Sequence, residues 1–526
     1  MRDAVDTFFA RYPRKSIRLL ELLPPLAAMF LISLPFWGSY LIPQELSYFI
    51  IFFDVIWLYK SITLAINSYQ SSKNIREAEK VNWLEKIVNL PHYKEVRHLV
   101  IIPSYKETAE KIQMTINAIG DQTFPRDRIF ICLALEKREE GILQKGEKLV
   151  GMNKDTFGGF YYTLHPDLPG EVKGKSSNQA FAVKEMVKKL IDKGKYDINY
   201  FTVSSCDADS LYDPQFFANL THSFLTTEKP HLTFWQSATV YHNNFWQVPS
   251  FIRVISFFGT LWRTGLLVMQ HRLVPNSTYT LSLRLLREVG YWDTDVIPED
   301  YRVFFKTFFK KKGDIRVEPI FLKTSIDSAQ ASTYMGSLMN KYHQERRWSW
   351  GVADDAVYMR WYLTERGVPF IKKTRLLGGV LIDHILWPVN WLIITLSANL
   401  VALLNPNFTK TSLGYMLPKL SAFILTLCLI SLLIMIYVDY TLQPSKKDKK
   451  PKKIRQFLFP LEFVLMPVAG FFLSALPALI THVQLILGKR LEYKDLPFRH
   501  SLRQGWLQSK EKRIPCQIPF LPCSQY

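Results

Sequence analysis

Two aspartates, Asp207 and Asp209, stand two residues apart at the end of the run Phe-Thr-Val-Ser-Ser-Cys-Asp-Ala-Asp (201–209). Strand side chains alternate, so if the strand continued, both carboxylates would point the same way. Carboxylates converging at a strand end can hold a hard cation such as Mg²⁺ or Mn²⁺, which binds oxygen and is often shared with a diphosphate. The plainer reading is a solvated strand-to-loop turn, where Asp is common. A second acidic pair, Glu299 and Asp300, follows Pro298 and precedes a helical pattern at 301–309. One of the two can serve as a general base, or both can form an acidic first helical turn. A third group is Gln344-Glu345-Arg346-Arg347-Trp348. Its arginines can stabilise anionic charge or pair with acids such as Asp354, and its indole suits a binding face, a core or a membrane interface.

Positioning these groups requires strands that end together. His98–Pro103 and Ile129–Leu135 read as short buried strands, and Tyr200–Ser205 as a third. Helical patterns at 110–119 and 176–191 fall between them. Strands alternating with helices imply a mostly parallel sheet, whose ligands sit at the carboxyl ends of its strands. Ser104-Tyr105-Lys106-Glu107 follows the first strand, and Ala134-Leu135-Glu136 ends the second. Gly174-Lys175-Ser176-Ser177-Asn178 opens the second helix. The triplets Asn276-Ser277-Thr278 and Asn407-Phe408-Thr409 match a glycosylation pattern and are read as incidental.

The 526 residues are 48% hydrophobic and 21% charged, with mean hydropathy near zero, a mixture that suits apolar spans joined to a soluble domain. Uncharged or nearly uncharged runs at 22–42, 46–67, 385–404, 420–438 and 463–487 are long enough to cross a bilayer, although Asp54 and Lys60 interrupt the second and Pro467 and Pro477 the last. Lys73–Ile87 reads as a charged linking helix, and Phe245–Val274 as a membrane-surface or buried helix. The net charge of +20 is concentrated beside the spans: residues 446–455 carry seven basic residues against one acidic. Positive charge marks the cytoplasmic side, which puts the soluble part in the cytosol at a plasma or inner membrane. Whether five or six crossings follow stays open, since a single last crossing would export the basic tail and a re-entrant arrangement would not. No zinc-finger, helix-turn-helix or RNA-recognition signature accompanies the charge, so nucleic acid is not an expected partner. The five cysteines are scattered, without a Cys-x-x-Cys pair, and read as reduced. The expected division is a transmembrane hairpin at 1–67, a cytosolic domain at 68–375, transmembrane helices at 376–487 and a basic tail at 488–526.

Taken in order, Ile102-Pro103-Ser104-Tyr105-Lys106-Glu107, Asp207-Ala208-Asp209, Pro298-Glu299-Asp300 and Gln344-x-x-Arg347-Trp348 resemble the membrane-embedded family 2 glycosyltransferases, the group of cellulose, hyaluronan and chitin synthases. The resemblance covers about residues 98–351. It implies a GT-A-type, Rossmann-like α/β nucleotide-sugar domain inserted between transmembrane helices. It implies that Tyr105 and Glu107 contact the nucleotide base, that Asp207 approaches the nucleotide, and that Asp209 ligates Mg²⁺ or Mn²⁺. Lys175 would help hold the donor phosphates, Asp300 would be the general base beside Glu299, and Gln344, Arg347 and Trp348 would close the donor and acceptor site. Where many relatives carry an Asp pair after the second strand, this chain has Glu136, which can reach the base from one carbon further away. The implied activity is inverting, metal-dependent transfer from a UDP- or GDP-sugar to a growing polysaccharide. The alternatives are single-sugar transfer to a lipid carrier, or a non-catalytic transporter or scaffold that keeps the fold. Sugar, linkage and partner subunits are not legible.

Overall fold

The computed structural model describes residues 2–443 and 453–491. Most of the basic loop at 446–455 and the tail from 492, with Cys516 and Cys523, therefore lie outside the described residues. After a short helix at Arg2–Arg11 come two long ones, α1 (Pro13–Leu41) and α2 (Pro43–Ala78), each opened by a proline at its first position. α2 runs well past residue 67, and the stretch from Lys73 expected as a separate linking helix is partly its last turns. Nothing between 67 and 78 is Gly or Pro; charge there changes the solvent the helix meets without stopping it. A break at 79–82 follows, and Asn82 caps a short helix Trp83–Ile87.

The α/β domain contains β1 (Arg97–Ser104), α3 (Ala109–Gly120), β2 (Ile129–Glu136), β3 (Gly159–His165), α4 (Lys175–Val187), β4 (Phe201–Ser205), β5 (Leu211–Tyr212), β6 (Thr233–Val240), α5 (Ser250–Leu266), β7 (Tyr279–Ser282), α6 (Glu299–Lys310), β8 (Arg316–Ser325), α7 (Tyr334–Ser349) and α8 (Asp355–Thr364). One eight-stranded sheet runs β3-β2-β1-β4-β7-β6-β8-β5. The β3-β2-β1-β4 half is parallel, as expected. The other half is mixed: β7 pairs antiparallel with both β4 and β6, and β5 with β8, so "mostly parallel" describes only the first half. β2 is buried at all eight positions, which is why it reads as one continuous apolar run.

β1 has β2 on one side and β4 on the other, so strand order reverses there. A crevice opens at such a switch point outside the carboxyl ends of the strands. Tyr105 follows the end of β1, and Asp207 lies two residues past β4. The 245–274 stretch forms α5, which packs on β6 and on α2. A Cβ at Gly265 would meet Leu64 at 3.3 Å, so glycine permits that approach.

After the domain, α9 (Phe370–Leu392) continues through a π-turn to Leu404, and α10 spans Ser412–Leu442. A last apolar segment, Gln456–Ile486, ends in α11 (Leu476–Ile486). The five stretches are long and apolar enough to cross a membrane. Leu34, Leu46, Ile50, Ala398, Val401 and Leu417 pack where α1 turns into α2 and α9 approaches α10, the end farthest from the sheet. Asp54 is tolerated within α2 because it is buried against α10, accepting a bond from Ser421 Oγ at 2.6 Å.

Candidate functional site

At the switch point one lysine is surrounded by the residues singled out above. Gly174, at φ 150°, holds a conformation open essentially only to glycine and starts α4 at Lys175. Lys175 Nζ lies 2.7 Å from Asp207 Oδ1 and 2.9 Å from Glu299 Oε1, and donates to the Ser277 carbonyl at 2.8 Å. Burial alone would discharge this ammonium; Asp207 and Glu299 outweigh it and hold its pKa well above the ordinary value. Burial likewise raises Glu299, to about 7, with Lys175 opposing. Asp207 goes the other way: burial disfavours its charge, yet Lys175 and Ser277 hold it below the usual carboxylate range.

Ser277 ties the cluster together. Its hydroxyl donates to Asp207 Oδ2 at 2.6 Å and its backbone N–H to Asp300 Oδ2 at 3.1 Å, while its carbonyl receives Lys175. It does so in the left-handed region, φ 60°, which a non-glycine residue adopts only under local compulsion. Sequence reading passed over it as part of an incidental glycosylation triplet. Asp300 Oδ1 accepts the Tyr301 N–H at 2.8 Å, so both its oxygens are engaged at the start of α6. Glu299 and Asp300 do form the acidic first turn of that helix, and the Glu299 side chain turns into the ion pair with Lys175.

Asp209 lies on the other flank. Its Oδ2 accepts the Asp327 N–H at 3.3 Å, and burial together with Asp207 and Asp327 pushes its pKa up to about 7. Lys111, from α3, sits 3.1 Å from Glu107 Oε2 and 3.2 Å from Asp327 Oδ2. Glu107, Asp209 and Asp327 thus share one ammonium, and the negative charge left over suits a cation. Among the described residues no three His, Cys, Asp or Glu side chains are grouped to hold a metal by themselves. A two-carboxylate donor set does fit Mg²⁺ or Mn²⁺ that takes its remaining ligands from water and a diphosphate.

The nucleotide side joins Tyr105 to Glu136 through a residue the sequence did not flag. Arg138 lies 3.9 Å over the Tyr105 ring, and its Nε is 2.5 Å from Glu136 Oε2. Facing the C-terminal apolar helices, α7 carries Gln344, Arg347 and Trp348 on one face by their spacing. Trp348 packs against Lys341 Nζ at 4.6 Å and the Arg263 guanidinium at 5.4 Å. Arg263, from α5, also lies 5.0 Å from the Tyr241 ring and helps hold Asp207 charged. Lys341 pairs with Glu345 at 2.7 Å and donates to Gln344 Oε1 at 3.1 Å. Asp354, considered above as a partner for Arg346 or Arg347, faces Arg302 at 3.5 Å.

No curated protein sequence matches the chain. Among solved structures it is similar to a mannosyltransferase from Pyrobaculum calidifontis in complex with GDP-Man and Mn²⁺ (TM-score 0.41, 12% identity, 81% of this chain and 100% of that one). It is also similar to residues 1–349 of S. aureus TarS in complex with UDP-GlcNAc (TM-score 0.33, 13% identity, 76% of this chain and 95% of that one). Likenesses this remote say nothing of substrate. Residues 203–438, which run from β4 through α6 and α7 to the end of α10, match the family model for glycosyl transferase family group 2.

Proposed function

We propose that the chain is an inverting, metal-dependent glycosyltransferase that moves a sugar from a cytosolic UDP- or GDP-sugar to a growing glycan at the membrane. The observation that carries the reading is the cluster of Lys175, Asp207, Ser277, Glu299 and Asp300, hydrogen-bonded together at the strand switch point. In this reading Tyr105, with Arg138 stacked on it, and Glu136 hold the base, and Glu107 positions Lys111. Asp207 and Lys175 face the donor's ribose and phosphates. Asp209, with Asp327 beside it, would hold Mg²⁺ or Mn²⁺, which when bound neutralises charge on the leaving diphosphate. The acceptor hydroxyl oxygen forms a bond to the anomeric carbon as the bond from that carbon to the diphosphate breaks. Asp300 takes the hydroxyl proton, since a hydroxyl is a poor nucleophile at neutral pH. Arg347 stabilises charge on the leaving group, and Gln344 and Trp348 form the acceptor face. A single displacement inverts the anomeric carbon.

The chain divides accordingly into an N-terminal apolar hairpin, a catalytic domain to about residue 375, and C-terminal apolar helices. The test is the anomeric configuration of the first product, read by NMR. The reading requires inversion, and retention would rule out the single displacement.

A further inference from the structure

We infer that the fifth apolar segment, Gln456–Ile486, does not cross the membrane but lies in the leaflet on the catalytic-domain side, embedded in lipid acyl chains and bracing α7. Both of its ends are fastened to that side. At the start, Glu462 forms a two-pronged ion pair with the buried Arg253 of α5, at 2.7 and 2.9 Å, and Phe463 packs against Phe257 at 4.7 Å. At the finish, the Ile486 carbonyl accepts from Arg18 at 2.7 Å, and Arg490 pairs with Glu21. Arg18 and Glu21 belong to the first turns of α1, where Leu20 packs on Ala356 of α8, and α8 is joined to the domain by the stack of Tyr358 on Phe305 at 4.2 Å.

Between its ends the segment follows α7. Leu473 packs with Leu338 and Tyr342, Thr481 Oγ1 meets Ser349 Oγ at 3.0 Å, and Gln484 accepts from Arg346 at 2.9 Å. Its contacts with α9 give a depth gauge. Ser474 accepts from Trp387 at 3.0 Å, the Pro467 carbonyl accepts from Trp391 at 2.6 Å, and Phe471 packs on Trp391 at 4.5 Å. Asp383 of α9 still pairs with Arg272 of the domain at 2.9 Å. Trp391 lies only about 12 Å along the helix from Asp383 and about 20 Å short of Leu404, at 1.5 Å per residue. The hydrocarbon core is about 30 Å thick. No described residue of the segment joins the packing at the far turn, where Leu34, Leu46, Val401 and Leu417 meet. Phe457, Leu461, Val464 and Phe472 are left exposed among the described residues, an apolar face suited to acyl chains. The chain then leaves the segment on the side it entered, so Lys489 and Arg490 stay with the catalytic domain, as the charge rule asks.

Membrane-impermeant maleimide labelling of sealed vesicles tests this, in the full chain with Cys516 and Cys523 replaced by Ser. Cysteines are placed one at a time by Glu147→Cys in the domain, Asn407→Cys at the far turn and Lys489→Cys beyond the segment. The expected result is that position 489 labels from the same side as 147, at least tenfold over the other side, and that 407 labels from the opposite side. Labelling of 489 with 407 would overturn the inference. Should Lys489→Cys fail to fold, protease digestion of a C-terminal tag on the otherwise unaltered chain gives the same decision: digestion from the domain side supports the inference, and digestion only from the other side overturns it. Neither readout depends on catalysis, so the inference and the proposed activity fail separately.

Discussion

Asp300→Asn removes the proposed base while nearly preserving its shape, and the structure allows its two effects to be separated. Asp300 accepts two backbone N–H groups, from Ser277 at 3.1 Å and Tyr301 at 2.8 Å, one on each oxygen. An amide keeps one acceptor oxygen, so one of these bonds is lost at a cost of about 1–3 kcal/mol. The Lys175–Asp207–Glu299 cluster does not use the Asp300 side chain and should survive. Donor affinity should therefore change less than about threefold, while transfer falls by roughly 10²–10⁴, the usual cost of losing a general base. At 1.36 kcal/mol per decade that is about 3–5 kcal/mol of transition-state stabilisation, and a loss above about 10²-fold exceeds what the lost hydrogen bond supplies. The assay is single-turnover transfer with saturating donor in a lipid preparation, with nucleotide binding and thermal unfolding measured on the same samples. Asp300→Glu should also fail, since about an ångström of misplacement can cost about a hundredfold. Wild-type turnover in Asp300→Asn, or loss of donor binding with turnover at saturation retained, would refute the assignment.

Lys175→Met should weaken donor binding at least tenfold and lower thermal stability, because it leaves the buried Glu299 and the partly buried Asp207 without their cation; equilibrium nucleotide binding and calorimetry check it. Asp209→Asn should abolish stimulation of donor binding by Mn²⁺, read as nucleotide affinity with and without chelator, and an unchanged Mn²⁺ response would remove Asp209 from the metal site. Because the folded pKa of Asp209 is raised to about 7, its contribution to stability is present below the unfolded carboxylate range and is lost as pH rises towards 7. Without divalent cation, the unfolding temperature of Asp209→Asn should therefore gain on wild type between about pH 4 and 7, and a constant difference would show that Asp209 is not strained. Glu299→Gln should lower donor affinity more than it lowers turnover at saturation, as its ion pair with Lys175 implies; kinetics over a donor titration separate the two.

The parallel half of the sheet was legible because β1, β2 and β4 are short buried runs, each ending in a polar break where the chain must turn. Asp207 and Asp209 followed from that, and Lys175, Glu299, Asp300 and the α7 residues from motif order. Less visible were residues whose role comes only from tertiary approach. Ser277 carries no signal beyond a misleading triplet; what marks it is a left-handed backbone that no local pattern announces. Lys111, Arg138, Arg263 and Asp327 are single charges on helices and loops, indistinguishable in sequence from a solvated face. The edge strand β3 and the mixed half were missed: β7 is four residues long and β5 two, and the longer β6 and β8 are interrupted by Gln236, Ser237 and Pro319, which break an apolar run. The end of α2 was misjudged because a change in polarity was taken for a change in structure.

Sugar transfer is tested most directly by turnover of a panel of UDP- and GDP-sugars by the purified full chain in lipid with Mn²⁺ or Mg²⁺. At least one donor should be consumed, with nucleoside diphosphate released as sugar appears in a glycan or lipid-linked product, and Asp300→Asn should abolish both. Donors that bind but are never consumed, with wild type and Asp300→Asn alike, would contradict it and leave a nucleotide-sugar-binding membrane scaffold.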